Sequence, residues 1–520
     1  MRQMKKLLSI ITACFLVLSL CSCSVIESFK NAMNGSETQT GAESSTENDD
    51  SEITNDITVG VTGLDEYNPL TTESESVRDI CGFIFEPLFG LDESGRTVSM
   101  LAASYTVANN GKSITINLRQ GVTWHDGTEF SSRDVLYTIN MIRGGGTNYD
   151  KFAEPIAGAS ATDSSTVVIS FSRPVPCAAA LLTFPILKSG TAGIVGTGPF
   201  YYDGGKLTAY EGYYGGRAKI DTINIMEIPD REKYLSLFNA SVIAFAGSDM
   251  LDMTSYMPKG NAKVYDYVSN DMVFAGFNTK SPVFSDKPAR QAVSQIIDRD
   301  RIEKRIYYSR AQASEIALNP ASWMELETKS KLKSNDAGVQ DALKGGGWTA
   351  DENGTYKKET EGRLIYFSVN IIVNSESDER VKIAEEICGK MNTAGMKTAV
   401  IKCTPEQFDY RVQTGDYDMF IGQTELMPNN DITPLVSSDG NSFGYSDETV
   451  DTILSQLSAL QYDEEVQAVC RELYNKIAED VPFAPICFMK KSIVTIAKIK
   501  DGVQPSMEAL VRDTHNWRVK

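Results

Sequence analysis

Apolar and polar positions alternate over Ile57–Thr62 and again over Ser113–Leu118, with the two-residue period of half-buried strands. The first run leads into Gly63-Leu64-Asp65-Glu66-Tyr67-Asn68-Pro69, a loop rich in turn formers. After the second, Gln120-Gly121 and Asp126-Gly127 mark turns, and Ser131-Ser132-Arg133-Asp134 reads as a capping box before the helical run Val135–Ile139. Ser285–Ile297 has helical spacing, with Ala289, Ala292, Val293, Ile296 and Ile297 on the face to be buried. Then comes a regular succession. Leu364–Val373 is an apolar strand; Asp378–Ala394 is a helix with Ala384, Ile387, Cys388 and Met391 on one face and Gly395 as its stop. Lys397–Cys403 is a strand, Pro405–Thr414 a short helix, and Tyr417–Gly422 a strand. This order predicts right-handed crossovers and a parallel sheet, hence an α/β fold. A helix over Glu464–Glu479 precedes Pro482, and Ala484–Val494 is a last apolar strand. No repeat of about 20–50 residues is present, which excludes solenoids and propellers.

The start of the chain follows a different pattern. Arg2, Lys5 and Lys6 precede an apolar run over Leu7–Leu20, shorter than the roughly 20 apolar residues of a membrane span and suited to a secretory signal. Leu20-Cys21-Ser22-Cys23 resembles a bacterial lipobox, with Cys23 the residue that takes lipid; Cys21 fits less well because Leu20 would occupy its small-residue position. Plain secretion with later cleavage is the alternative. Residues 1–22 are therefore expected as a signal peptide and 23–52 as a lipidated acidic tether, too polar to bury enough surface to fold. The body is expected outside the cytoplasm, held to the bacterial membrane through Cys23.

With 520 residues and 42% hydrophobic content, the chain has room for a large core split into two or more lobes. Its formal net charge of −19 argues against a nucleic-acid partner, since phosphates would be repelled over most of the surface. The only histidines are His125 and His515, which rules out a multi-histidine metal site. Trp124-His125-Asp126 has no evident nucleophile near it and reads as a turn before a cap rather than a catalytic group. Gly196-Thr197-Gly198-Pro199-Phe200 lacks the Lys-Ser/Thr of a phosphate loop and reads as a sharp turn. Neither Gly-x-Ser-x-Gly nor His-Glu-x-x-His occurs, so a secreted hydrolase is disfavoured, and no cofactor is expected. Cys81, Cys177, Cys388, Cys403, Cys470 and Cys487 show no CxxC spacing; disulfides and buried thiols both remain open.

Ligands of open parallel sheets bind beyond the carboxyl ends of the strands. Three polar segments follow expected strands here: 63–68, 374–378 and 423–431. Candidate ligand contacts are Asp65, Glu66, Tyr67, Asn374, Gln423, Glu425 and Asp431. A carboxylate there suits a cationic group such as a peptide ammonium. Glu425 is read as a contact, whereas Asp431 is equally a contact or a helix cap before Thr433-Pro434.

A series of landmarks carries a family resemblance. It includes Asn68-Pro69-Leu70, Phe85-Glu86-Pro87-Leu88-Phe89, Leu118-Arg119-Gln120-Gly121-Val122-Thr123-Trp124-His125-Asp126-Gly127 and Gly196-Thr197-Gly198-Pro199-Phe200. Phe277-Asn278-Thr279-Lys280, Ile297-Asp298-Arg299, Phe443-Gly444-Tyr445-Ser446 and Pro482-Phe483-Ala484-Pro485-Ile486 continue it. Over residues 57–495 this order resembles the peptide/nickel-type extracellular solute-binding lipoproteins of bacterial ABC importers, the oligopeptide- and dipeptide-binding group. The resemblance implies a two-lobed clam of the periplasmic-binding-protein type, with mixed sheets and crossing hinge segments near Phe274–Thr279 and Ala484–Phe488. Lobe one would hold 53–275 with 484–520, and lobe two 276–483. It further implies a monomeric, non-enzymatic receptor that captures a small solute, a peptide first of all, and delivers it to permease subunits. Tyr445 joins the implied contacts. Where peptide binders of this group carry a tryptophan and an aspartate, this chain has Gln423, Thr424 and Glu425, so a metal chelate, haem or oligosaccharide is an alternative cargo, and a membrane signalling protein an alternative recipient.

Overall fold

The computed structural model describes residues 55–247, 262–324, 334–496, 498–506 and 511–519; the expectations for 1–52, Cys23 included, lie outside them. Two long strands organise the described chain. Lys263–Phe277 and Phe483–Thr495 pair antiparallel in a seven-stranded mixed sheet. Phe245–Gly247 joins one side of this pair. On the other, Met419–Glu425 runs antiparallel to Lys263–Phe277, and Ser368–Asn374 and Lys397–Cys403 extend the sheet in parallel. Met272–Phe277 is buried throughout, as expected of a strand covered on both faces.

Two four-stranded sheets lie in the N-terminal half. One places Asp56–Thr62 parallel to Thr222–Ile228, followed antiparallel by Lys206–Ala209 and Phe200–Tyr202. The other is wholly antiparallel, in the order Ala102–Ala108, Ser113–Leu118, Thr166–Phe171, Ile156–Asp163.

Four apolar clusters divide the interior. Two are built from residues 57–246 and the C-terminal segment after Ile493. The other two are built from residues between Val268 and Phe488. This is the two-lobed α/β architecture. The long strands pass from one set of clusters to the other, and their register shifts between Val268 and Met272. There Ser269, Asn270 and Asp271 stand opposite Met489 alone, a bulge that bends the pair.

Most expected elements form within two residues of their expected ends. The capping box is present: the Ser131 amide donates to the Asp134 carboxylate at 3.0 Å, opening the helix Ser132–Arg143. Asp378–Thr393 ends before Gly395, whose φ is +90°. Two expectations need correction. Leu364–Val373 is not one strand, because Arg363–Tyr366 belongs to a separate antiparallel ribbon with Tyr356–Thr360. Phe367, fully buried against Trp348 and Phe284, marks the change of sheet. The expected strand Tyr417–Gly422 begins instead at Met419 and runs on to Glu425, because Asp271–Met272 continues the partner strand beside it. All six cysteines of the body are free thiols, and burial pushes those of Cys81, Cys470 and Cys487 up to about 12.

Candidate functional site

A cavity of about 890 Å³ opens between the two halves of the molecule. One wall comes from the N-terminal half: Lys151 and Glu154 before the strand Ile156–Asp163, and Arg173 and Pro174 after Thr166–Phe171. The register brings these segments together, because Ile156 pairs with Phe171 at the cavity's edge. The facing wall is the end of Met419–Glu425, the turn that follows it, and the helix Glu448–Ser458. Glu425 is the last residue of its strand and stands directly opposite Asp271, a like-charge pair. Asp271 accepts from the Ser269 hydroxyl at 2.9 Å and lies 3.9 Å from the Lys491 ammonium. The Glu425 carboxylate is exposed and has no hydrogen bond or ion pair among the described residues.

Beyond Glu425 the chain makes a tight turn, with the Asn430 amide donating to the Met427 carbonyl at 2.8 Å. Asn430 takes φ +53°, a conformation asparagine tolerates better than most residues. The turn delivers Asp431 into the cavity wall, 8% exposed. Its carboxylate does two things: one oxygen accepts the Thr433 amide at 2.9 Å, and the other accepts from the Arg173 guanidinium at 2.8 Å. The second contact spans the cavity and joins residues 258 apart in sequence. Next to it the Asn429 side-chain amide donates to the Pro176 carbonyl at 2.8 Å.

The expected contacts do not all meet here. Glu425 and Asp431 share the cavity. Asp65, Glu66 and Tyr67 sit in the loop after the first strand, and Glu66 and Tyr67 line a separate cavity of about 220 Å³ formed wholly by residues 66–195. Asp65 serves its own loop: the Thr72 hydroxyl, with the amides of Glu73 and Glu66, holds its carboxyl down to about 2. Burial raises the Tyr67 hydroxyl to about 12. Asn374 ends the strand Ser368–Asn374 and caps the turn through the Glu376 amide at 2.9 Å, away from the cleft. Gln423 is exposed opposite Val273 and is absent from the cavity wall. Tyr445 is buried, and its hydroxyl donates to Asp480 at 2.6 Å inside the C-terminal half, a structural contact. Lys151, Glu154 and Arg173 went unread in the sequence. The signal available was the alternation of Thr166–Phe171 running into Ser172-Arg173-Pro174, a strand followed by a turn.

Among the described residues, no helix is long and apolar enough to cross a membrane. The family model for bacterial extracellular solute-binding proteins, family 5 middle, matches residues 96–444. The oligopeptide-binding protein AppA of Bacillus subtilis is 23% identical over 473 residues, covering 82% of this chain and 85% of AppA. Two solved structures share the fold. The periplasmic murein tripeptide-binding protein MppA, in an unliganded open form, superposes with a TM-score of 0.76 at 16% identity, over 90% of this chain and 98% of MppA. NikZ from Campylobacter jejuni, in complex with Ni(L-His), gives 0.61 at 20% identity, over 89% of this chain and 99% of NikZ.

Proposed function

The chain belongs to the bacterial extracellular solute-binding proteins of family 5, receptors of ABC importers rather than enzymes, and on that footing we propose that it captures a peptide between its lobes and hands it to a permease. The observation that carries this reading is the cavity walled by both halves, with the Glu425 carboxylate, unpartnered among the described residues, at its rim. An ammonium group seated there would replace a like-charge neighbour with a charge-assisted hydrogen bond. AppA, by its name an oligopeptide-binding protein, supports a peptide as the class of cargo. In this reading Asp431 holds Arg173 and shapes the wall, while Glu425 meets the solute.

The lobes we propose are 53–275 with 484–520, and 276–483. The bulge at Val268–Met272 lies just before that boundary and supplies the bend about which they close. Solute contact with both walls favours the closed form, which the permease then reads. A lipid on Cys23 keeps the monomeric receptor near its permease and raises its effective concentration there. Native mass spectrometry of protein purified without refolding should show a co-purified peptide mass, and deletion should abolish uptake of that peptide. A co-purified mass that is not a peptide would overturn the cargo; unchanged uptake would overturn the importer role.

A further inference from the structure

A second, smaller cavity of about 120 Å³ adjoins the cleft, sharing Asn429 with it, and is also walled by both halves. Cys177 lines it from the N-terminal half, Met324 and Val466 from the C-terminal half. The buried Asn429 side-chain amide donates across this junction to the carbonyl of Pro176, the residue before Cys177, at 2.8 Å. Cys177 itself takes φ +47°, a left-handed conformation uncommon for a residue with a side chain. It packs against the apolar cluster of the C-terminal half that contains Met324, Val466 and Cys470. Cys470 stands one turn beyond Val466 in the helix Asp463–Asp480, and its thiol donates to the Met324 sulfur at 3.7 Å. A thiol from each half thus reaches the same apolar junction. Burial pushes the Cys177 thiol up, and the nearness of Cys470 pushes it in the same direction. Cys470 is 2% exposed and its thiol is pushed up to about 12, so the pair is protonated and shielded while the halves are together. Parting them uncovers Cys177 first. A family 5 receptor works outside the cytoplasm, where disulfides form and persist.

We propose that a disulfide oxidant joins Cys177 to Cys470, forming a bond between the lobes that holds the receptor shut until it is reduced. This rests on the lobe closure proposed above and adds its control by thiol chemistry. In the open form the Cys177 thiol loses its proton, and its sulfur attacks the S–S bond of the oxidant. A mixed disulfide forms and one oxidant sulfur leaves as a thiol. Closure brings Cys470 to that mixed disulfide, where its deprotonated sulfur displaces the second oxidant sulfur. The two cysteine protons end on the two oxidant sulfurs, and two electrons pass from the cysteines to the oxidant. A disulfide needs Cα atoms within about 7 Å of each other, so the bond is kept only with the halves together. Delivery to a permease needs them apart. Oxidation therefore stops delivery, and reduction restores it.

The test exposes the full-length protein to glutathione disulfide, then alkylates it under denaturing conditions and reads its mass. Two thiols of the body should be lost to alkylation, and peptide mapping should join Cys177 to Cys470. X-ray scattering of the solute-free protein should show oxidation lowering the radius of gyration to the value reached with a randomised tripeptide pool, and dithiothreitol raising it again. Cys177→Ala should lose both the link and the oxidation-dependent shift while still binding the pool. Cys470→Ala should instead retain glutathione as a mixed disulfide on Cys177. Body thiols that all remain open to alkylation, or a link between any other pair, would overturn the proposal. A Cys177–Cys470 link, with scattering that responds to the pool but not to oxidation, would overturn the lock and leave the closure reading standing. Scattering that neither treatment changes would remove the closure reading, and the lock with it.

Discussion

At the scale of single residues, the glycine-rich segment 196–198 shows how a short polar motif is held. A Cβ on Gly196 would stand 1.8 Å from the Ile84 carbonyl oxygen, so only glycine permits this approach. His125 clamps the segment from one side, accepting the Gly196 amide at Nδ1 (3.1 Å) and donating from Nε2 to the Gly198 carbonyl (2.8 Å). That geometry requires the neutral ring, and burial lowers its pKa from 6.5 to about 4. Glu86 grips from the other side, taking the hydroxyls of Thr197, Tyr213 and Tyr214 at 2.8–3.0 Å. Burial raises its carboxyl from 4.5 to about 7, outweighing those three bonds. The two residues act on stability with opposite signs. For His125 the unfolded chain binds the extra proton, so about 3 kcal/mol is present above pH 6.5 and is lost on acidifying towards 4. For Glu86 the folded chain binds it, so a cost of similar size grows as pH rises from 4.5 to 7. Relative to wild type, Glu86→Gln should therefore gain stability as pH rises through that window, and His125→Asn should lose it. Thermal melts at pH 4.5, 5.5, 6.5 and 7.5 check this; shifts of the same sign in both variants would refute it. In the cleft, Glu425→Gln should weaken binding of the co-purified peptide by about 1.5–3 kcal/mol, read by calorimetry. The sequence marked Glu425 as a cleft residue because it follows a strand. It left Asp431 between cap and contact; in the fold the N-cap of the helix Thr433–Val436 is Ile432, while Asp431, one residue earlier, accepts the Thr433 amide and pairs with Arg173.

At the scale of elements, boundaries are legible where the chain carries its own punctuation. Thr404 and Gln407 form a reciprocal cap at the start of Pro405–Thr414, and Gly415 closes it at φ +71°. Gly395 does the same after Asp378–Thr393. Its φ of +90° and the Gly354 carbonyl oxygen 2.3 Å from where a Cβ would sit leave no room for a side chain. Gly395→Ala should cost at least about 1 kcal/mol, seen as a lower denaturation midpoint at unchanged m-value. Boundaries set by a neighbour are not legible. Gln423-Thr424-Glu425 looks like loop because it is polar, yet it stays extended against Asp271–Val273. The run 364–373 looks like one strand because it is apolar, yet Leu364 and Tyr366 are 52% and 47% exposed in a ribbon outside the main sheet.

At the scale of the whole molecule, the halves also meet through polar contacts placed away from the solute walls. The Gln461 side chain bridges the backbone of Tyr105 and Val107 at 3.1 and 3.3 Å. The Trp323 amide donates to the Ser94 carbonyl at 2.7 Å, and Arg96 lies over the Trp323 ring while pairing with Asp463 at 3.4 Å. None of these residues lines the main cavity. They bias closure without touching the cargo, so Gln461→Ala should populate the open form, raise the radius of gyration in X-ray scattering, and weaken peptide affinity a few-fold. Unchanged scattering with unchanged affinity would show that this contact does not hold the lobes.

The sequence by itself determined the α/β class, the positions of most helices and strands, and the family, because periodicity, caps and glycine stops act over a few residues and are written where they act. Only the tertiary structure decided which polar segments share a cavity. Lys151 and Arg173 come to face Glu425 and Asp431 through the ordering of whole sheets. Charges that meet across some 258 residues of chain leave no local trace, since their pairing energy depends on a distance that exists only after the intervening core has packed.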